Sequence, residues 1–496
     1  MRKLKLILVS ILMIAVNMSV SADNYIKREF RAVWLTTVWA LDWPTTTGTS
    51  SSVATSQKNE ICGYLDEFKN DGFNAVFFQV RSMCDAMYKS SYEPWSSFLT
   101  GTRGSAPSWD PLAYVVEECH KRGLECHAWV NPYRWSTGTQ WSTTQDKQLQ
   151  NNGWLISYSN SDGDITILNP GIPAARQRIV DVCKEIISNY DVDGLVFDDY
   201  FYPNSIPESS SADDYSTYKN SGTSLSYGNW RRENVNQMVR DVWNMVQTTK
   251  PWVRFGISPA GAACSSSSVA ASHGVEPLSN YCSASDWQYN QIYSDPVQWL
   301  EDGVIDYISP QLYWITTHST NPFGPMTKWW SKVAKQFGRH HYASHSLSFL
   351  GTSNSTSNWQ EVGKQVQYSR DYTEDNCPGA VMYNTRPITG KGGYSTGIGS
   401  WLGTNKFQAK SLPPALTWKT AVNPGRVTNL KKSGTTLSWS SLGTNVRYSV
   451  YAIPTYIKKD AAQATVATGI DANYLLGITY GTTFTLSGGI AAESDY

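Results

Sequence analysis

The stretch from Asp191 to Pro203, DVDGLVFDDYFYP, ends an apolar run, Leu195 to Phe197, on two consecutive carboxylates, Asp198 and Asp199. A buried parallel strand reads as such a run, and ligands collect where strands of that kind finish. Two carboxylates at one strand end repel each other, which raises at least one pKa and lets one acid hold a proton while its neighbour stays ionised. Cleavage of a glycosidic bond needs that division of labour. One carboxyl group protonates the leaving oxygen, and the other meets the positive charge that develops on the sugar. An Asp-Asp pair also serves as a helix cap or a loop pair, so the rest of the chain has to decide.

Side chains alternate along a strand, so Asp198 and Asp199 enter one cleft together only if the chain turns straight after Phe197. Asp198 is the first candidate for catalysis. Its partner is Asp199 after such a turn, or a loop residue: Asp42, Glu93 or Asp286. Arg81, Asn131, Arg134 and Gln311 carry the donors that bind hydroxyl or acetamido groups, with Asp42 as a further polar contact. Tyr133, Tyr202, Trp287, Tyr313 and Trp314 offer flat rings that could cover a sugar face. Two other readings stay open: Arg81 and Arg134 pair with Asp198 or Asp199 as a structural network, and Trp314 belongs to the core. His340, His341 and His345 do not read as a metal site, because adjacent strand residues face opposite ways, and no cofactor is expected.

These residues need elements to hold them. Apolar runs alternate with helix-like segments in the rhythm of parallel β/α units. Eight strands are expected: Arg31 to Val38, Ala75 to Arg81, Glu125 to Val130, Gly194 to Asp198, Val253 to Ser258, Tyr307 to Tyr313, His341 to Leu347 and Ala380 to Tyr383. Amphipathic stretches lie between them, among them Glu60 to Asp71, Pro111 to Arg122, Ala174 to Tyr190, Arg231 to Thr249 and Pro296 to Asp302. Eight such units close an α/β (β/α)8 TIM barrel, whose chemistry sits at the C-terminal strand ends, where the candidates above cluster. Two long polar connections, Thr45 to Ser56 and Pro203 to Asn229, are candidate cleft walls or lids.

Composition narrows the function. Lys+Arg and Asp+Glu each number 41, so nothing marks the chain for nucleic acid or an anionic membrane surface. With 21 Trp and 29 Tyr, it has many rings able to meet sugars, a glycan polymer being the expected partner. Residues 1–22 have a basic start, an apolar run from Leu6 to Val16 and a small-residue end, the pattern of a secretory signal peptide cleaved before Asp23. The expected location is periplasmic or extracellular, with no membrane span. Export permits disulfides, and Cys264 with Cys282 is the best candidate pair among eight cysteines that match no metal pattern.

FRAVWLTTV with LDWP, GFNAVFFQVR, HAWVNPYR, DGLVFDDYFYP, SPQLYW and GAVMYNTRP occur in this order between Arg28 and Leu402. Together they resemble the glycosyl hydrolase-like family 10, exported bacterial proteins of which some hydrolyse denuded glycan strands of peptidoglycan. The resemblance implies a barrel over residues 28–412 with a cleft for a sugar polymer, and an enzyme cleaving O-glycosyl bonds. Asp193 and Gly194 match the opening of the fourth-strand motif of barrel glycosidases, and Asp198 falls where such enzymes carry a nucleophile or supporting Asp. Chitinase-like enzymes place a general-acid Glu two residues further on; Tyr200 stands there in this chain. Residues 413–496, rich in Thr, Ser, Val and Tyr, resemble a fibronectin type III β-sandwich that stops before its last strands.

Overall fold

Apolar runs that alternate inward and outward can bury both faces only inside a layer of helices, and this protein's strands meet that need by closing on themselves. The structure is a computed structural model that describes residues 26–160, 163–350, 356–372, 378–394, 397–420, 423–453, 474–488 and 490. The strands in chain order begin with β1 (Phe30–Leu35), β2 (Ala75–Arg81) and β3 (Glu125–Val130). An insertion follows, made of β4 (Arg134–Thr137), β5 (Leu155–Asn160) and β6 (Gly163–Leu168). The parallel series resumes with β7 (Gly194–Phe197), β8 (Arg254–Ile257), β9 (Tyr307–Ile308), β10 (His340–His341), β11 (Ala343–Ser346) and β12 (Gly379–Tyr383).

Pairing runs β10-β9-β8-β7-β3-β2-β1-β12-β11, all parallel. β10 and β11 flank the single residue Tyr342, so they are two lengths of one strand, the first paired to β9 and the second to β12. That break closes the ring, and the expected eight-stranded α/β barrel is what the chain forms. β9 is shorter than the expected Tyr307 to Tyr313 because Pro310 has no N–H for the ladder; only isolated bridges from Gln311 to Ala260 and Ser344 continue it.

The barrel interior is aromatic. Phe30 stacks on Tyr342 with ring centroids 4.5 Å apart, and Trp34 meets Phe77 and Trp129 edge-on, each at 4.7 Å. Rings this large fit because glycine stands opposite them. A Cβ on Gly256 would lie 2.2 Å from the Tyr307 ring, and one on Gly194, the glycine of the DG motif, 2.4 Å from the His127 imidazole. Val33, Leu35, Phe78, Leu195 and Phe197 face outward onto the helices, where fully burying such a side chain is worth about 1.5–3 kcal/mol.

The helix layer includes Ser51–Asn70, Pro111–Lys121, Pro173–Asn189 and Tyr227–Thr249. Ser50, Asp110 and Ser226 each accept a hydrogen bond from a first-turn N–H, and Pro opens the second and third helices, where its missing N–H costs nothing. The first helix starts at Ser51 rather than near Glu60, which shortens the expected Thr45 to Ser56 loop. No helix among the described residues is long and apolar enough to cross a membrane.

After the barrel come two small antiparallel sheets. β13 (Lys431–Ser433), β14 (Thr436–Ser438) and β17 (Thr483–Thr485) form one, and β15 (Tyr448–Tyr451) with β16 (Leu475–Thr479) the other. Residues 1–22 lie outside the described part. Cys264 and Cys282 are free thiols and form no bridge, with Cys264 buried in the core and Cys282 half-buried beyond the turn at Leu278–Asn280.

Candidate active site

Val196 points into the barrel among the interior aromatics, so Asp198, two residues on, points into its mouth. The side chains that hold it obey the same alternation. Trp129 and Asn131 stand two apart at the end of β3, and both reach Oδ2 of Asp198: the indole Nε1 donates at 2.9 Å and the amide Nδ2 at 3.3 Å. Oδ1 accepts from the backbone N–H of Tyr200 at 3.4 Å. All three partners are donors, which favours the ionised form. Burial pushes the other way and wins: with Asp198 only 3% exposed, its carboxyl rises to about 7, helped by the Asp199 charge and opposed by Arg134.

The chain turns after Phe197, so Asp199 stands half-buried on the same rim. Its Oδ1 accepts from Gln311 Nε2 at 3.0 Å, and Gln311 is itself held by donating to the carbonyl of Ser258. Burial raises the Asp199 carboxyl too, while the Gln311 bond and Arg134 lower it. Two carboxyl groups with raised pKa values on one rim can divide acid and base roles between them.

Open aromatic surface lies beside them. Trp39 is 57% exposed and Tyr200 54%, and their rings flank the Arg134 guanidinium at 5.6 and 4.7 Å. Trp39 has φ +55° and Ala40 φ +49°, the left-handed region that costs a non-glycine residue about 1 kcal/mol or more. Such backbone lifts the indole out from the rim. Tyr313 stacks on Tyr383 at 5.4 Å, both half-buried on the same rim. A cavity of about 140 Å³ opens next to Asp199, walled by Arg134, Ile165, Ile167, Tyr202, Trp287 and Ile292. A larger cavity, about 920 Å³, lies on the opposite side of the barrel between Gly123 and the segment from β16 to β17, away from the carboxylates.

Residues 29–360 match the family described as Glycosyl hydrolase-like 10. The chain belongs to that family. It is 33% identical over 405 residues to Glycosyl hydrolase YngK of Bacillus subtilis (strain 168), covering 80% of this chain and 75% of that one. Over 324 residues it is 36% identical to Glycosyl hydrolase DigH of Escherichia coli (strain K12), covering 62% and 71%. Among solved structures, the PgaB (BpsB) glycoside hydrolase domain of Bordetella bronchiseptica aligns over 76% of this chain and 98% of its own, at 12% identity and a TM-score of 0.48. Membership supports a glycosidase-type function and a glycan as the substrate class.

In this glycosyl hydrolase-like barrel the structure gathers Asp198, Asp199, Asn131, Arg134, Gln311, Tyr313 and Trp287 at one rim, and gives several other candidates structural work. Arg81 is 1% exposed: it pairs with Glu93 at 2.9 Å and donates to the carbonyls of Asn131 and Pro132. The cause is a register shift between Gln79 and Arg81 in the β2–β3 pairing, which turns Arg81 outward to the helices. Gln79 takes the inward place and accepts from the N–H groups of Thr37 and Val38. Glu93 is correspondingly an ion-pair partner inside the wall. Tyr133 is fully buried against Phe201, and Tyr202, 2% exposed, is packed beside Tyr293 with only an edge on the small cavity.

Asp286 spends both oxygens on the backbone N–H groups of Ser265 and Ser266, at 2.5 and 2.6 Å, so it fixes a loop rather than facing a substrate. Asp42 is sealed from solvent and accepts from the N–H groups of Thr36 and Arg386, tying β1 to the segment after β12; burial lifts its carboxyl to about 6. Trp314 packs half-buried against the core. Trp39, Tyr200, Tyr383 and Trp129 were absent from the sequence-derived set. Alternation alone could have found Trp129, since it shares the face of Asn131; Trp39 owes its position to a backbone turn that no spacing announces.

Proposed function

We propose that this protein is an exported glycoside hydrolase that cleaves O-glycosidic bonds in peptidoglycan glycan strands. The observation that carries the reading is the Asp198–Asp199 pair: one carboxyl group held by donors alone at the barrel mouth, the other open on the rim beside exposed rings. In this scheme Asp199 gives its proton to the glycosidic oxygen as the bond to the anomeric carbon breaks. The scheme runs through the reverse-protonated form, in which Asp198 has given up the proton that burial favours; so ionised, it faces the positive charge that builds on that carbon, while Asn131 and Trp129 keep its oxygens aimed. Water then adds its hydroxide to the anomeric carbon and returns a proton to Asp199. Trp39 and Tyr200 support the reading as stacking surfaces for neighbouring sugar rings. Export rests on the basic, apolar and small-residue order of residues 1–22.

The test is release of reducing sugar ends from purified sacculi. Wild type should release them, and Asp198→Asn should lower turnover by several orders of magnitude with folding and binding retained. Asp199→Asn should lose activity mainly on substrates with poor leaving groups, because good ones need little protonation. Tyr200 in the place of the chitinase-type Glu favours one other reading, a barrel that binds glycan without cleaving it. Retained binding with no release by the wild type on any glycan would decide for that reading, and cleavage of other polysaccharides alone would replace only the substrate.

A further inference from the structure

Arginines enclosed in this protein are matched to carboxylates. Arg31 pairs with Glu29, Arg81 with Glu93, and Arg231 with Asp214, at 2.6 to 2.9 Å. Arg134 is the exception on the rim. It is 7% exposed, donates from Nε to the carbonyl of Ser82 at 3.2 Å, and makes no ion pair among the described residues. Its guanidinium carbon lies 5.6 and 4.7 Å from the Trp39 and Tyr200 rings, and its two amino nitrogens make no hydrogen bond among the described residues, which leaves them for a ligand. Arg134 lines the cavity next to Asp199, whose other walls include Ile165, Ile167 and Ile292.

A planar fork with a free edge fits a carboxylate bidentately. The apolar walls and a volume of about 140 Å³ admit the short stem of a substituent and leave a sugar ring outside over the exposed rings. With Asp198 and Asp199 acting on it only at a distance, the enclosed guanidinium has no contact ion pair among the described residues, and an anionic ligand would supply one, so the site discriminates by charge as well as by shape. We propose that Arg134 is a specificity-determining residue that takes a carboxylate-bearing substituent of the sugar bound beside Asp199. The inference rests on the hydrolase reading above and adds to it which sugars the site prefers. Two sources offer the same chemistry: a carboxylate on an ether-linked lactyl stem, and a carboxylate fixed directly to the ring of a uronic acid.

The experiment compares four polymers at one pH: a peptide-free glycan with free lactyl carboxylates, a uronate-containing glycan, and the carboxyl-reduced form of each. Wild type should prefer a carboxylate polymer over its reduced form by tenfold or more in kcat/KM, and the arm that shows the preference names the source. Arg134→Gln should bring that ratio close to one, and Arg134→Lys, which keeps the charge and loses the fork, should leave an intermediate ratio. The ratio is the decisive readout because Arg134 also acts on the Asp198 and Asp199 carboxyl groups: an effect confined to them would slow both forms alike. Equal rates on both forms by the wild type, or an unchanged ratio in Arg134→Gln, would overturn the inference and leave the hydrolase reading standing. If no polymer is cleaved, that reading fails, and the same ratios read from binding isotherms still decide the role of Arg134.

Discussion

Asp198 couples activity to pH through its surroundings. Its carboxyl sits near 7 in the native state against an ordinary value of 3.8, a difference of about 3 units, or about 4 kcal/mol between its two protonation states. The folded chain holds the proton more tightly than the unfolded chain does. The site is therefore not a burden at pH 4, becomes one as pH rises through the window from about 4 to 7, and stays one above it. Asp199, raised in the same direction, adds to the slope. Asp198→Asn removes the ionisation and keeps the shape, so its melting temperature should nearly equal the wild type's at about pH 3 and exceed it by several degrees at about pH 8. Thermal melts across pH test this; a difference that does not change with pH would mean that Asp198 is not held in this state. The carboxylate pair itself was legible in the sequence, because an apolar run ending in two acids needs no tertiary information. The burial that raises both pKa values was not, since it depends on how the closed barrel packs around the end of β7, which no spacing announces.

At the scale of elements, the β/α rhythm read well where strands are regular, and failed where one residue changes the register. β2 and β3 have the bounds expected from their composition. The shift between Gln79 and Arg81 has no mark in GFNAVFFQVR, yet it exchanges an expected sugar contact for a buried ion pair. The β4-β6-β5 insertion was not among the expected elements, and it supplies Arg134 and part of the cavity wall. Arg81 is best described as a brace: it ties β2 to the carbonyls of Asn131 and Pro132, and so sets where Asn131 meets Asp198. Arg81→Met leaves Glu93, 3% exposed, with only Arg178 at 3.5 Å, and should destabilise the protein by about 3–5 kcal/mol. Chemical denaturation measures it. Unchanged stability together with weakened glycan binding would return Arg81 to the substrate side.

Over the whole molecule, the face away from the chemistry carries the acids that start the strands, and the C-terminal part supplies cations to them. Arg447, the residue before β15, bonds both Glu125 at the start of β3 and Asp193 just before β7, while Tyr480 stacks on His120 with ring centroids 3.7 Å apart. Trp418 and Lys419 meet Asp306, the residue before β9, at 2.8 and 2.7 Å. A change of composition near residue 413 reads as the edge of an independent unit, and composition holds no information about such contacts. Burial alone would raise the Glu125 carboxyl; Arg254 and Arg447 outweigh it and hold the group well below the ordinary carboxylate range. A depressed carboxylate contributes stability above its unfolded pKa, and that contribution fades as pH falls. Arg447→Met should therefore lower stability at pH 7 by about 1–2 kcal/mol, a figure kept small because the arginine side chain is 36% exposed and Glu125 retains Arg254. Its effect should shrink below about pH 4, where the carboxylates of the unfolded chain take up protons. Deleting everything after residue 415 also strips Trp418 and Lys419 from buried Asp306, so the barrel alone should melt lower than Arg447→Met does. A truncated barrel that melts with the full-length chain at pH 7 would show that these contacts add nothing to the fold, and that the unit after the barrel is independent after all.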